Sequence, residues 1–240
     1  MATGNKLVGV IGGMGPDATV DFMSKVIEKT PAGSDQDHVR MLVEHNPRVP
    51  SRQLAMQGEG ENPGPVIARM AARLEASGAD FIVMPCNAAH AWQDDIVAAV
   101  SVPFISIVEE SVSRSLQCTR DDEPVGLLTT PGCFAAGLYQ RALADAGREV
   151  ILQSPEELVG TMSLIDRIKA GDKSKPVASG LREFAGQLVS RGAKSVIAAC
   201  TELPLVLDQS MLAVPLVAST DVLAGKTVAL ALADEPLPEI

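Results

Sequence analysis

The sequence predicts an α/β protein made of two similar lobes, each a parallel sheet with helices on both sides. Short, almost purely apolar runs alternate with longer segments of helical period, the pattern of repeated βαβ units. The pattern also occurs twice. Gly78-Ala79-Asp80-Phe81-Ile82-Val83-Met84-Pro85-Cys86 is echoed at the same spacing by Gly192-Ala193-Lys194-Ser195-Val196-Ile197-Ala198-Ala199-Cys200. Val8-Gly9-Val10-Ile11-Gly12-Gly13-Met14-Gly15 is echoed more loosely by Val125-Gly126-Leu127-Leu128-Thr129-Thr130-Pro131-Gly132, and Val102-Pro103-Phe104-Ile105 by Val214-Pro215-Leu216-Val217. Two Rossmann-like halves related by a pseudo-two-fold account for these echoes. No low-complexity tract or long linker interrupts them, so the lobes are expected to share a substantial interface.

Taken in order, the first strand lies at 7–11, and Pro16 suits the first turn of the helix after it. A second strand follows at 39–43. The polar stretch 57–65, rich in Gly, Glu and Pro, is an exposed loop, and Pro63 and Pro65 open a helix whose buried face is Val66, Ile67, Met70 and Leu74. Gly78 ends that helix, and strands at 81–84 and 104–107 complete the first set. The second set starts at 125–128, continues through a helix marked by Leu138, Ala142 and Leu143 and ended by Gly147, and returns after Gly192 to a strand at 196–199. A final helix, about 221–233, lies beyond the last strand of the second repeat and crosses back. The expected domains are therefore 1–108 with 218–240, and 109–217.

Composition narrows the class. Thirty Asp and Glu against twenty Lys and Arg leave a net charge of −10, which argues against a nucleic-acid partner. The apolar run at 7–11 is broken at once by Gly12-Gly13-Met14-Gly15-Pro16, so it is neither a signal-peptide core nor a membrane span. A cytoplasmic location is expected. Cys86, Cys118, Cys133 and Cys200 are then expected to be reduced thiols whose surroundings decide their use.

Cys86 and Cys200 each end an apolar strand and are each followed by a polar residue, Asn87 or Thr201, able to cap the next helix. A sulfur there lies beside free backbone N–H groups. That setting favours a thiolate, lowering a thiol from about 8.5 toward neutrality, where one cysteine acts as base while its partner stays a protonated acid. Opposed groups of this kind suit a reaction that removes a proton from one face of a carbon and replaces it on the other.

Other motifs carry less. Gly12-Gly13-Met14-Gly15-Pro16, between a strand and a helix, lets backbone approach an anion; Gly13-x-Gly15-x-x-Ala18, with Glu44 as a ribose partner, also fits a dinucleotide fingerprint. Pro16, however, removes one of the donors that a pyrophosphate would need. Cys86 and His90 are four apart, but no second cluster joins them and zinc takes at least three protein ligands, so no metal is expected. His90 as a partner for the Cys86 thiol is poorly placed on the same helix. Asn46-Pro47-Arg48-Val49-Pro50-Ser51-Arg52 is a stiff loop presenting Arg48 or Arg52 as a fork for a carboxylate. Lys169 ends a helical stretch, where it serves either an anion or the helix dipole.

Together these motifs resemble the aspartate/glutamate racemase family of cofactor-independent amino-acid racemases. The likeness is carried by Ile11-Gly12-Gly13-Met14-Gly15-Pro16, Asn46-Pro47 through Arg52, Pro85-Cys86-Asn87-Ala88-Ala89-His90, Leu128 through Gly132, and Cys200-Thr201-Glu202-Leu203-Pro204-Leu205. What the resemblance implies is an active site in the cleft between the lobes, with Cys86 and Cys200 as acid and base. It also implies Arg52 and Lys169 on the substrate carboxylates, and Met14, Asn87, Thr130 and Thr201 about the pocket. It implies no cofactor, a small-molecule amino-acid substrate and a homodimer. Ala88 and Cys133 depart from the aspartate-specific pattern, which has Thr at both places, and each removes a hydroxyl from the substrate pocket. Glu202, where glutamate racemases tend to carry His, leans toward the aspartate branch.

The expected reaction is two-base racemisation of an acidic amino acid, aspartate first. A Schiff-base Lys with a phosphate-binding loop, which pyridoxal chemistry would need, is not apparent in the sequence. The alternatives are an isomerase, decarboxylase or hydantoin-type racemase using the same cysteines, a nicotinamide enzyme, and a two-lobed amino-acid-binding protein without catalysis.

Overall fold

The computed structural model describes residues 5–238. These form two compact units, one running to Ile107 and resuming at Thr220, the other Val108–Ser219.

The first unit contains β1 (Val8–Gly12), α1 (Pro16–Lys29), β2 (Met41–His45), α2 (Arg52–Met56), α3 (Gly64–Ala76), β3 (Phe81–Val83), α4 (Gln93–Val97) and β4 (Phe104–Ile105). Its strands lie in the order β2-β1-β3-β4, every neighbour parallel. β1, paired on both sides, is buried along its whole length, which is why it reads as a continuous apolar run. β2 has one neighbour and is only half buried, so polar Glu44 and His45 belong to it and the apolar run at 39–43 misplaces it by two residues. β3 stops at Val83 rather than 84 because Pro85 has no N–H with which to continue a ladder. β4 is shorter than 104–107: Ile107 already opens α5 (Ile107–Cys118).

The second unit contains β5 (Val125–Thr129), α6 (Pro131–Ala136), α7 (Leu138–Asp145), β6 (Val150–Leu152), α8 (Pro155–Lys169), α9 (Lys175–Ser190), β7 (Ser195–Ala199) and β8 (Leu216–Ala218). Its order is β6-β5-β7-β8, again all parallel, so the second, first, third and fourth strands of each set line up alike. β6 is an edge strand of three half-buried residues, too short to stand out in the sequence. From β8 the chain enters α10 (Ser219–Ala231), which serves the first unit: Lys29 pairs with Asp221 at 3.0 Å and the Lys6 N–H donates to the Ala231 carbonyl at 2.8 Å.

The turns leading into the two central strands close in the same way. After α3, the N–H groups of Gly78 and Ala79 return to the carbonyls of Glu75 and Leu74; after α9, those of Gly192 and Ala193 return to Val189 and Leu188. Both glycines have positive φ, 93° and 111°, which an L side chain resists. Each unit packs its own core on the strand that leads to its cysteine: Ile11, Ile67, Met70, Ile82 and Met84 in the first, and Leu128, Ile165, Leu181, Val196 and Ala198 in the second. Each of these side chains except that of Ala198 contributes about 1.5–3 kcal/mol on burial. No described helix is long and apolar enough to cross a membrane.

Candidate active site

Cys86 stands just past β3, its N–H turned back to the Met84 carbonyl at 2.8 Å. Its side chain joins the apolar cluster that also holds Met14 and Val49, so the glycine loop after β1, the Pro-rich loop after β2 and the turn after β3 meet in one core. Asn87 is buried and Ala88 half buried. Asn87 opens the 3₁₀ turn Ala88–Trp92 but does not cap it with its side chain, contrary to the sequence expectation. In the second unit Thr201 is not the capping residue either: the short 3₁₀ turn Leu203–Leu205 begins from Glu202, again without a side-chain cap. Neither cysteine therefore gains a regular helix N-terminus.

His90 is fully buried, and both of its ring nitrogens face backbone. Nδ1 lies 2.9 Å from the Cys86 carbonyl, and Nε2 accepts the Ile107 N–H at 3.1 Å. One tautomer satisfies both bonds, with the proton on Nδ1 donated to Cys86. Burial holds the imidazole neutral, lowering its pKa to about 4 against a smaller opposing effect of the Cys86 carbonyl. His90 thus braces the cysteine's backbone rather than its thiol, and the Cys–His pairing is not formed.

Arg52 is the first residue of α2, which lies against the Ala88–Trp92 turn. It is half buried, with one guanidinium nitrogen donating to the Val49 and Pro50 carbonyls at 3.1 and 3.0 Å. Arg48 is exposed, so of the two arginines Arg52 is the one held in place. The glycine loop is less open to an anion than its sequence suggests. The Gly13 N–H is taken by the Thr19 hydroxyl at 2.8 Å, and a Cβ at Gly13 would lie 2.4 Å from the Asn46 backbone. Glu44, the ribose partner of the dinucleotide alternative, is engaged by the Arg73 guanidinium.

In the second unit Cys200 follows β7 directly and is buried beside Thr201 and Glu202. Its thiol donates to Glu202 Oε2 at 3.0 Å. Burial first, then the Glu202 charge and this hydrogen bond, push the Cys200 thiol well above its usual value, against weaker opposition from the Glu202 N–H and Lys169. At Cys200 a buried carboxylate thus outweighs the strand-end position, which alone favours a thiolate. Glu202, expected at the substrate, is turned to the thiol. Lys169, the last residue of α8, is exposed yet within electrostatic reach of Cys200. The Thr130 hydroxyl caps α6 by accepting the Cys133 N–H at 3.2 Å, and Cys133 is buried.

Sequence patterns do not single out Tyr139, the only tyrosine of the chain. It is fully buried in α7 and bonds to the buried Ser111 of α5. Burial, then Cys133, raise its pKa well above the usual phenol value, with a smaller push from Cys200. A neutral phenol therefore belongs to the surroundings of Cys133 and Cys200. Among the described residues, no three His, Cys, Asp or Glu gather as a metal site requires.

Residues 11–227 match the family described as Asp/Glu/Hydantoin racemase. The broad specificity amino-acid racemase RacX of Bacillus subtilis (strain 168) is 30% identical over 233 residues, covering 95% of this chain and 99% of that protein. The glutamate racemase of Aquifex pyrophilus is 28% identical over 134 residues, 55% of this chain and 50% of that one. Among solved structures, the Picrophilus torridus aspartate racemase matches with a TM-score of 0.84 and 28% identity, over 97% of this chain and 96% of that one.

Proposed function

This chain belongs to the Asp/Glu/hydantoin racemase family, and from that premise we propose that it racemises an amino acid by two-base proton transfer between Cys86 and Cys200. It is a racemase; the assignment of roles is the proposal. One observation carries it: two thiols follow the equivalent third strands, β3 and β7, of two sheets with the same strand order. One thiolate removes the α-proton and the other thiol returns a proton to the opposite face, so the reaction asks that the two sulfurs address opposite sides of one carbon. Charge on the carbanionic transition state needs donors near the α-carboxylate, since no electron sink is invoked. Arg52 in the first unit and Lys169 in the second are the cations assigned to the substrate's carboxylates.

An acidic amino acid, aspartate first, is the proposed substrate, supported by the likeness to the Picrophilus torridus aspartate racemase. A second reading, broader specificity, is favoured by Ala88 at the position after Asn87 and by the likeness to RacX. The test is incubation with a panel of amino acids in deuterium oxide, following loss of the α-proton signal together with optical rotation. Exchange with racemisation of aspartate supports the first reading, and comparable turnover of neutral amino acids the second. Binding without exchange contradicts both.

A further inference from the structure

We propose that Thr19 is a positioning residue, whose buried hydroxyl sets the glycine loop that carries Met14 and so fixes Met14 in the surroundings of Cys86. This rests on the two-cysteine reading above and on Met14 as a residue of the substrate pocket. Three of the four residues from Gly12 to Gly15 are glycines, so little in the loop itself fixes its path. Its last residue, Gly15, is the N-cap of α1 and has no side chain with which to hold the turn.

The constraint comes from one helical turn further on. The Thr19 hydroxyl accepts the Gly13 N–H at 2.8 Å and donates to the Gly15 carbonyl at 3.0 Å, so one oxygen ties the loop before and after Met14. Thr19 is 1% exposed, where a lost partner is not replaced by bulk water. The glycines admit this clamp: a Cβ at Gly12 would stand 2.6 Å from Thr19 Cγ2, and Gly13, with φ of 94°, lies against the Asn46 backbone. Between the two ties Met14 is buried and belongs to the apolar cluster of Cys86 and Val49.

A role confined to α1 would not need the hydroxyl. The helix has its first backbone bond, from the Thr19 N–H to the Gly15 carbonyl at 3.1 Å, and Pro16 in its first turn, whatever side chain stands at 19. What the hydroxyl adds is the tie to Gly13, which lies outside the helix. The second unit has no such loop. Three residues separate β1 from α1, whereas Thr130 alone separates β5 from α6, and Thr130 caps that helix itself while the Thr129 N–H is accepted by Gln153 Oε1 at 2.7 Å. The clamp therefore serves the loop of the Cys86 half. Proton transfer at an α-carbon tolerates little displacement: about 1 Å costs about 100-fold in rate.

Two variants separate the hydroxyl from the methyl group. Thr19→Val keeps the methyl over Gly12 and removes the hydroxyl; Thr19→Ser does the reverse. With both shown to be folded by circular dichroism, Thr19→Val should lower kcat for racemisation about tenfold or more with KM changed far less, and Thr19→Ser should stay within about threefold of the wild type even where its melting point falls as far. Iodoacetamide labelling, mapped by peptide mass, needs no substrate: Thr19→Val should speed labelling of Cys86 several-fold relative to Cys200, which lies in the other unit, and Thr19→Ser should not. If Thr19→Val does not fold, Thr19→Ala takes its place. An unchanged kcat without the hydroxyl, equal losses in the Val and Ser variants, or parallel speeding of both thiols overturns the proposal and leaves the two-cysteine reading to stand on its own alanine variants. Should Cys86→Ala and Cys200→Ala still racemise, that reading is wrong, and the role of Thr19 in the reaction with it, even where Thr19→Val opens Cys86 to labelling.

Discussion

Gly9 and Gly126 occupy the same place in two sheets. A Cβ at Gly9 would stand 3.0 Å from the Ala79 Cβ and 3.1 Å from the Leu74 Cβ; at Gly126 it would stand 3.0 Å from the Ala193 Cβ and 3.1 Å from the Leu188 Cβ. The helix before the cysteine strand presses on the first strand of its set at that point in both units, and only a glycine lets it. The repeat therefore extends to the packing distance that seats the strands leading to Cys86 and Cys200.

Gly9→Ala and Gly126→Ala should each overpack this contact and cost about 1–3 kcal/mol. Gly186→Ala, in α9 with nothing near its added methyl, should be neutral or stabilise by up to about 1 kcal/mol. Denaturant melts of the three variants check this; equal effects would show that the close approach is not the reason for the glycines.

Neutral His90 ties stability to pH. Its folded pKa of about 4 lies below the unfolded value of about 6.5, so the unfolded chain takes up a proton that the folded chain refuses. The stabilisation is complete above about pH 6.5 and falls away as pH drops toward 4, by about 3 kcal/mol across the window. The Glu157 carboxylate, held low chiefly by its hydrogen bonds with Arg191, adds its own loss only below the ordinary carboxylate range. Urea midpoints between about pH 5 and 6.5 should therefore slope in the wild type and flatten in His90→Gln. A flat wild-type curve would contradict a neutral buried His90.

Much of this was legible in the residues. The central strands β1, β5 and β7 are buried along their whole length and read as unbroken apolar runs, and Gly78, Gly147 and Gly192 mark helix ends because each has positive φ. The edge strands β2 and β6 were misplaced or missed because one-sided pairing leaves them half exposed, which blurs the pattern at Glu44 and His45 and shortens it at 150–152. The two cysteines were visible because they end matching strands. Side-chain direction was not: nothing in Cys200-Thr201-Glu202 says that the carboxylate turns to the thiol, and nothing local links Tyr139 to Ser111 on another helix. Gly13 looked like an open donor because its partner, the Thr19 hydroxyl, sits a helical turn further on.

Substrate choice should answer to Arg52 and Ala88. One hydrogen bond to a charged group is worth about 1.5–3 kcal/mol, or one to two powers of ten in kcat/KM. Arg52→Ala should damage acidic substrates selectively, and Ala88→Thr should raise kcat/KM for aspartate relative to larger amino acids. If Arg52→Ala lowers every substrate alike, and the wild type prefers neutral amino acids, the pocket is not assigned to a side-chain carboxylate.

Thiol chemistry without a cofactor gives a distinct inhibition pattern. Activity should survive extensive dialysis, chelators and carbonyl reagents and fall to alkylation, with Cys118→Ala and Cys133→Ala costing far less than changes at the proposed pair. Activity lost on dialysis and restored by a metal or cofactor would contradict this.

The most direct measurement is racemisation of the preferred substrate by Cys86→Ala and by Cys200→Ala, each shown to be folded by circular dichroism, with α-deuterium incorporation followed in parallel. Two-base transfer predicts that each single variant loses racemisation, because one face of the α-carbon is left without its acid or base. Near-wild-type racemisation by either folded variant would contradict it.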